Sequence, residues 1–207
     1  MHRATPAIFE RMNSSMTAYV MRHVGLAEAE ANELRREYWL RYGATLLGLM
    51  RRHAVDPDHF LVETHRFPDL DQLLDFDRPL RRLLKTLPGR KILVSNAPRH
   101  YVDAVLTAMG VKAYLHAIET IESMRYVPKP ARSSLARILK RHRSKGHRVV
   151  MVEDNLDNLK TARCLGLTTV WISRQSGRPA FVDVKLKSVL QLSKHSRLWW
   201  DHASPLP

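Results

Sequence analysis

The sequence lacks long apolar runs, and its 207 residues include one cysteine, Cys164. Because a helix that spans a bilayer needs roughly 20 consecutive apolar residues, we expect no membrane segment. The N-terminus also lacks the apolar stretch of a signal peptide. A single cysteine excludes an internal disulfide, which fits a reducing, cytoplasmic location. We expect Cys164 to be a small packed side chain and not a nucleophile.

Acidic residues are also scarce: 20 Asp and Glu stand against 34 Lys and Arg, which gives a net charge of +14. The basic excess is greatest in residues 139–148, "LKRHRSKGHR". Clustered basic side chains bind nucleic acid by releasing its counterions. The alternative is a solvated helix end with a turn at Gly146, where basic residues suit the helix dipole. We favour this alternative because no aromatic stacking pattern accompanies the charge.

The chain divides into regions with different patterns. In residues 5–76 apolar residues recur every three or four positions, which predicts an all-helical region. In residues 77–190 the apolar runs "KILV", "VVMV" and "TTVWI" alternate with helical segments of about a dozen residues. Strands separated by helices favour an α/β fold with a parallel sheet. Residues 191–207 show little periodicity and form a C-terminal tail.

Polar residues follow two of these predicted strands. "KILV" is followed by Ser95 and Asn96, and "VVMV" by Glu153 and Asp154. Ligands of open parallel sheets bind at the carboxyl ends of the strands. Lys129 lies between two prolines in "YVPKP", which favours a fixed loop. A hydroxyl, an ammonium and carboxylates at one edge suit a phosphoryl group bound through Mg²⁺.

Each of these signals also has a simpler interpretation. Ser95 and Asn96 are typical residues for capping the next helix. Glu153, Asp154 and Asp157 precede or begin a helix, where the dipole favours acids without any metal. The order and spacing of the three segments together carry the functional interpretation.

That order resembles the haloacid dehalogenase superfamily of phosphohydrolases. There a Ser or Thr ends the strand of the second motif, a Lys forms the third, and an acidic pair followed by Asp or Asn forms the fourth. The matching residues are Ser95 in "ILVSNAPRH", Lys129 in "YVPKP", and Asp154 with Asn158 in "VEDNLDN". The resemblance implies a Rossmann-like parallel core (residues 77–190) with an all-helical cap (residues 5–76).

The resemblance also implies roles at the core. Asp154, with help from Glu153, would hold Mg²⁺. Ser95 and the amide of Asn96 would bind a phosphoryl oxygen, and Lys129 would stabilise the negative charge of the reacting groups.

Two further sets of residues follow from the same resemblance. Asn158, or else Asp157, would orient Lys129. In the cap, "RREYWLRYGATLLGLMRRH" looks like the branch of pyrimidine 5′-nucleotidases, and Tyr42 and Thr45 are candidates for substrate contact or for packing within the helices.

The first motif of the family, an apolar strand ending in Asp-x-Asp-x-Thr with the nucleophile, does not occur in this sequence. The stretches Asp56–Asp58, Asp69–Leu73 and Asp75–Asp77 lack the preceding strand and the Thr, and we expect helix caps and linker residues there. Met1-His2 and "RATPAIF" resemble the family segment just after that motif. We therefore expect a true start upstream, in preference to a degenerate member that has lost the nucleophile.

In the family, that strand lies between the strands of the second and fourth motifs. Without it, two buried strands would lack a neighbour unless they paired with each other, and each unpaired buried amide costs about 1–3 kcal/mol. The predicted function is a Mg²⁺-dependent phosphomonoester hydrolase with a nucleoside (pyrimidine) 5′-monophosphate substrate, inactive as the sequence stands. The alternatives are a non-catalytic member that binds RNA or another polyanion, and a phosphosugar phosphatase or mutase. The acidic pair Glu153-Asp154 argues against a dehalogenase, which needs no Mg²⁺.

Overall fold

A computed structural model describes residues 3–4, 6–75 and 79–195, with backbone alone for 3–4 and 75. These residues form a helical region followed by an α/β region. Most of the predicted C-terminal tail, residues 196–207 with Trp199 and Trp200, lies outside the described residues.

The helical region contains five helices among the described residues: α1 (Pro6–Val24), α2 (Glu28–Tyr42), α3 (Thr45–His53), α4 (Pro57–Thr64) and the short α5 (Leu70–Leu73). Strand β1 (Arg3–Ala4) pairs antiparallel with β2 (Leu74–Asp75), so the two ends of the helical region lie side by side. Gly43 ends α2 in the left-handed conformation, with φ of 80°. Such a φ is available to glycine at little cost, so this residue allows the sharp turn into α3.

Helices α2 and α3 come into close contact at Gly48. A Cβ atom at this position would lie 2.2 Å from Cγ of Tyr38, whose side chain is buried. The glycine therefore allows the tyrosine ring to lie directly on the backbone of α3.

Gly48→Ala is expected to lower the free energy of unfolding by about 1–3 kcal/mol, because overpacking outweighs the better helix propensity of alanine. Urea denaturation measures the loss. In a Tyr38→Ala background the same substitution should be neutral or stabilising, since the clashing ring is gone. An equal loss in both backgrounds would refute the clash.

The α/β region alternates strands with helices. Its strands are β3 (Ile92–Val94), β4 (Ala117–Glu119), β5 (Val150–Glu153), β6 (Thr168–Ile172) and β7 (Val184–Leu186). Its α-helices within the described residues are α6 (Leu80–Thr86), α7 (Arg99–Ala108), α8 (Arg132–Arg141) and α9 (Leu156–Cys164). The predicted α/β fold with parallel strands is confirmed.

The parallel strands form two groups. Strand β3 pairs with β4, and β6 pairs with both β5 and β7, all of them parallel. Leu93 of β3 and Val152 of β5 pack against one hydrophobic cluster, and Val94 and Met151 pack against another. Because both groups of strands contact the same two clusters, they belong to a single layer.

No pairing joins β3 to β5 within the described residues, and we call the boundary between these two strands the seam. Strand β6, with neighbours on both sides, buries Val170 completely, whereas Val150 of β5 is 37% exposed. The strands that carry the second and fourth sequence motifs, β3 and β5, have therefore not paired with each other. On the side that faces the seam, the backbone of each strand forms no hydrogen-bond ladder with another described strand.

Two local expectations were wrong or incomplete. Cys164 is exposed at the end of α9, so it is not a packed side chain. The sequence patterns missed β4 and β7, which have three residues each and contain Glu119 and Lys185. The basic segment 139–148, in contrast, comprises the end of α8 and a 3-10 turn at Gly146–Arg148, which agrees with the expected helix end and turn. No described helix is both long and apolar enough to cross a membrane.

Candidate active site at the carboxyl ends of the strands

Ser95 directly follows β3, in a tight turn. Its Oγ accepts a hydrogen bond from the amide of Ala97 at 3.1 Å, and its own amide donates to the carbonyl of Glu119 at 2.9 Å. The turn uses the hydroxyl as an acceptor, which leaves its proton for donation to a ligand.

Lys129 lies where β3 and β5 end. Its Nζ donates to the carbonyl oxygen of Val94 at 3.0 Å and to Oε2 of Glu153 at 2.7 Å. The side chains of Lys129 and Glu153 are each 9% exposed. The ammonium therefore bridges the seam, contacting the last residue of each strand.

The loop that carries Lys129 is fixed by hydrogen bonds on several sides. The side chain of Asn96 accepts from the Lys129 amide at 2.8 Å and donates to its carbonyl at 3.0 Å. Ser134 donates to the carbonyl of Val127 at 2.6 Å, and Thr161 donates to that of Pro130 at 2.8 Å. Because its backbone is held in this way, Lys129 keeps its ammonium in one place.

The two acids after β5 have different environments. Glu153 is buried and also accepts from the amides of Asp154 and Asn155. Burial alone would raise the pKa of Glu153, but its hydrogen bond with Asp154 and the nearby Lys129 ammonium outweigh burial and lower it. The hydrogen bond with Glu153, burial and the Glu153 charge raise the pKa of Asp154, which is more exposed. The Asp154 carboxylate thus remains open to a ligand.

These acids fit a hard divalent cation. Two adjacent carboxylates repel each other when both are ionised, and a bound cation relieves that repulsion. Carboxylate oxygens are the donors that Mg²⁺ prefers. In the described part of the chain no group of three or more His, Cys, Asp or Glu residues could hold a metal ion. The candidate metal ligands among the described residues are thus Asp154 and Glu153, and Glu153 already accepts a hydrogen bond from Lys129.

The other predicted site residues lie farther along the same elements or in the cap. Asn155 caps α9 by accepting from the amides of Asp157 and Asn158, and Asn158 is buried. The hydrogen bonds that the structure shows for Lys129 go to Val94, Glu153 and Asn96, so the orienting role of Asn158 or Asp157 stays a prediction.

In the cap, Thr45 donates to the carbonyl of Arg35 at 3.1 Å, and the Tyr42 hydroxyl accepts from Nε of Arg52 at 3.2 Å. These bonds lie within the helices α2 and α3 and do not connect to the strand ends. Their contact with a substrate stays a prediction.

The Asp-x-Asp stretches have structural partners. Asp56 caps α4 by accepting from the amides of Asp58 and His59, as expected of a helix cap. Asp69 forms an ion pair with Arg11 at 2.6 Å. The stretch at 75–77 lies largely outside the described residues.

Sequence reasoning missed one contact between the cap and the core. The hydroxyl of Tyr126, three residues before Lys129, donates to Asp58 at 2.7 Å. This bond, together with burial, raises the pKa of Tyr126 to about 12. No pattern could reveal the pair, because its members are 68 residues apart.

A parallel α/β layer that presents a hydroxyl, a buried ammonium and an acidic pair at its carboxyl edge, beside a helical cap, defines a class of α/β hydrolytic enzymes. The model of the haloacid dehalogenase-like hydrolases matches residues 4–166. The chain belongs to that family, as the sequence motifs predicted.

Solved structures support the fold. A HAD phosphatase from Thermococcus onnurineus is 18% identical, with a TM-score of 0.64 over 94% of this chain and 92% of that one. A 2-haloacid dehalogenase from Pseudomonas syringae pv. tomato is 13% identical, with a TM-score of 0.61 over 96% and 94%. A Thermotoga maritima protein assigned as a β-phosphoglucomutase is 15% identical, with a TM-score of 0.59 over 94% of both chains. At these identities the likeness concerns the fold alone.

Proposed function

We propose that this hydrolase core binds the phosphoryl group of a phosphomonoester together with Mg²⁺, and that its substrate is a nucleoside 5′-monophosphate. The observation that carries the proposal is the position of Lys129. Its ammonium lies 2.7 Å from Glu153, close to the turn of Ser95. A fixed cation beside a hydroxyl donor and an open carboxylate suits a phosphoryl group better than a neutral substrate.

Each residue has a defined chemical task in this proposal. Ser95 donates its hydroxyl proton to a phosphoryl oxygen, and Lys129 stabilises the negative charge that grows on the oxygens of the transition state. Asp154 is the main ligand for Mg²⁺, which when bound would neutralise phosphate charge. The Asp-x-Asp-x-Thr motif does not occur in the sequence, so we expect very slow turnover from this polypeptide as it stands.

The nucleotide substrate rests on the cap. Helices α2 and α3 carry the segment that resembles pyrimidine 5′-nucleotidases, with Tyr42 and Thr45 at the turn between them. The acidic pair Glu153-Asp154 supports phosphate chemistry over dehalogenation, because attack at carbon does not require a metal-binding pair.

Asp154→Asn is expected to weaken Mg²⁺ binding by at least tenfold, because it removes the open carboxylate. Isothermal titration calorimetry with Mg²⁺, with and without inorganic phosphate, measures this. Asp71→Asn removes an exposed acid from helix α5 that is not among the proposed ligands, and it should leave binding unchanged. Equal binding by the wild type and Asp154→Asn would exclude Asp154 as the ligand.

Substrate class is tested by hydrolysis. The coding DNA upstream of Met1 should first be read for an in-frame apolar strand ending in Asp-x-Asp-x-Thr. If one is present, the extended protein should be assayed with nucleoside and sugar monophosphates, with Mg²⁺ omitted in parallel. Faster hydrolysis of sugar phosphates would replace the nucleotide proposal with a phosphosugar phosphatase or mutase.

A further inference from the structure

An unusual cluster of guanidinium groups surrounds one tyrosine at the ends of α2 and α3. Cζ of Arg41 lies 5.5 Å and Cζ of Arg51 5.2 Å from the centroid of the Tyr42 ring. Nε of Arg52 donates to the hydroxyl of the same tyrosine at 3.2 Å. We call these four residues the arginine–tyrosine cluster.

The cluster has more positive charge than its surroundings neutralise. Arg41 forms an ion pair with Glu37 at 3.6 Å. In the part of the chain that the structure describes, Arg51 and Arg52 form no ion pair, although both are exposed. The hydrogen bond from Arg52, followed by the charges of the arginines, lowers the pKa of Tyr42. Two guanidinium groups are thus available to an anion from solution.

An exposed aromatic side chain lies next to the cluster. Trp39 is 62% exposed, and its neighbour Leu40 is 75% exposed. Residues three apart are neighbours on a helix surface, so Trp39 lies beside Tyr42. An indole in water presents a large flat face on which another ring can stack.

We propose that the arginine–tyrosine cluster and Trp39 form a surface that binds single-stranded nucleic acid. Exposed bases stack on aromatic side chains, while guanidinium groups bind the phosphates between them. A protein partner with a plain apolar face would leave the arginines desolvated and unpaired, which is costly. The polyanion also suits a chain with a net charge of +14. This inference does not depend on the proposed hydrolase function.

The basic segment 139–148 is less suited to the same role. Arg141 and His142 contact Glu119, at 2.6 Å and 2.7 Å. This pairing neutralises part of the segment, and its sequence contains no Phe, Tyr or Trp. It therefore provides a control surface that is basic but has no aromatic side chain.

Binding is tested with the full chain and a fluorescein-labelled oligo(U) 12-mer, by anisotropy at low and rising salt. We expect binding that weakens with salt. Arg51→Ala with Arg52→Ala should reduce affinity by at least tenfold and reduce the log–log salt slope by roughly 1.4, since two phosphate contacts are lost. Lys145→Ala with Arg148→Ala removes the same charge from the control surface and should change affinity less than threefold.

Stacking is tested separately. Trp39→Leu keeps an apolar side chain but removes the indole, and we expect about tenfold weaker binding. Quenching of intrinsic fluorescence by unlabelled oligo(U) should disappear in this variant. Absence of binding at low salt, or equal losses from the two double variants, would overturn the proposal. So would size-exclusion chromatography showing that Trp39 and Leu40 mediate self-association with no affinity for the oligonucleotide.

Discussion

Lys129→Met is expected to lower the free energy of unfolding by about 3–5 kcal/mol, the cost of leaving a buried charge without its partner. Glu153 would lose the ammonium 2.7 Å away, while its side chain is only 9% exposed. Because methionine keeps most of the volume of lysine, the loss of stability measures the effect of removing the ammonium charge and its hydrogen bonds. Urea denaturation at pH 7.5 measures the effect.

The double variant Lys129→Met with Glu153→Gln should recover most of this stability, because the amide removes the buried charge and still accepts from the backbone amides. Lys112→Met is the matched control. It breaks an exposed ion pair, 3.2 Å from Asp103, and should cost less than about 1 kcal/mol. If Lys129→Met costs no more than Lys112→Met, the buried pair does not stabilise the fold.

Acid should destabilise the protein through His65. The ring is buried against Tyr101, and burial, followed by the charge of His100, lowers its pKa to about 4. Thr64 donates to the carbonyl of Phe60 at 2.7 Å, so its hydroxyl oxygen accepts from Nδ1 of His65 at 2.9 Å. The folded state thus holds a neutral imidazole.

The sign of the pH effect follows from this lowered pKa. An unfolded histidine takes up a proton near pH 6.5, whereas the folded one resists protonation down to about pH 4. Stability is therefore full above about pH 6.5 and falls by about 3 kcal/mol as the pH drops to 4. Urea denaturation across this range measures the slope. His65→Asn, which keeps a donor to Thr64, should flatten it, and exposed His147→Asn should not; equal slopes in all three proteins would contradict the assignment.

Sequence patterns predicted the longer buried elements. Strands β5 and β6 were visible because "VVMV" and "TTVWI" are apolar runs next to helices with clear periodicity. Strand β4 was not, because three residues ending in Glu119 give no such run. Its stability depends on pairing with β3 and on the partners of that glutamate, which are tertiary contacts.

The same distinction applies to the site. The order of Ser95, Lys129 and Asp154 identified the edge of the sheet, since residue type and the strand-end rule suffice for that. The partner of Lys129 could not be predicted, because two adjacent acids offer equivalent charges and only the side-chain geometry selects Glu153. Likewise the side chain of Asn96 clamps the backbone of Lys129, a role that the sequence alone does not indicate.

The seam has a mechanical consequence for the layer. A continuous parallel sheet transmits force from strand to strand through its hydrogen-bond ladder, and between β3 and β5 the described residues provide none. Among the described residues, side chains pack on either face of this line, and Lys129 forms an electrostatic cross-link at the carboxyl end. Lys129, which is proposed to bind the phosphoryl group, therefore also connects the two groups of strands. A ligand that moves its ammonium away from Glu153 would weaken the connection between β3 and β5.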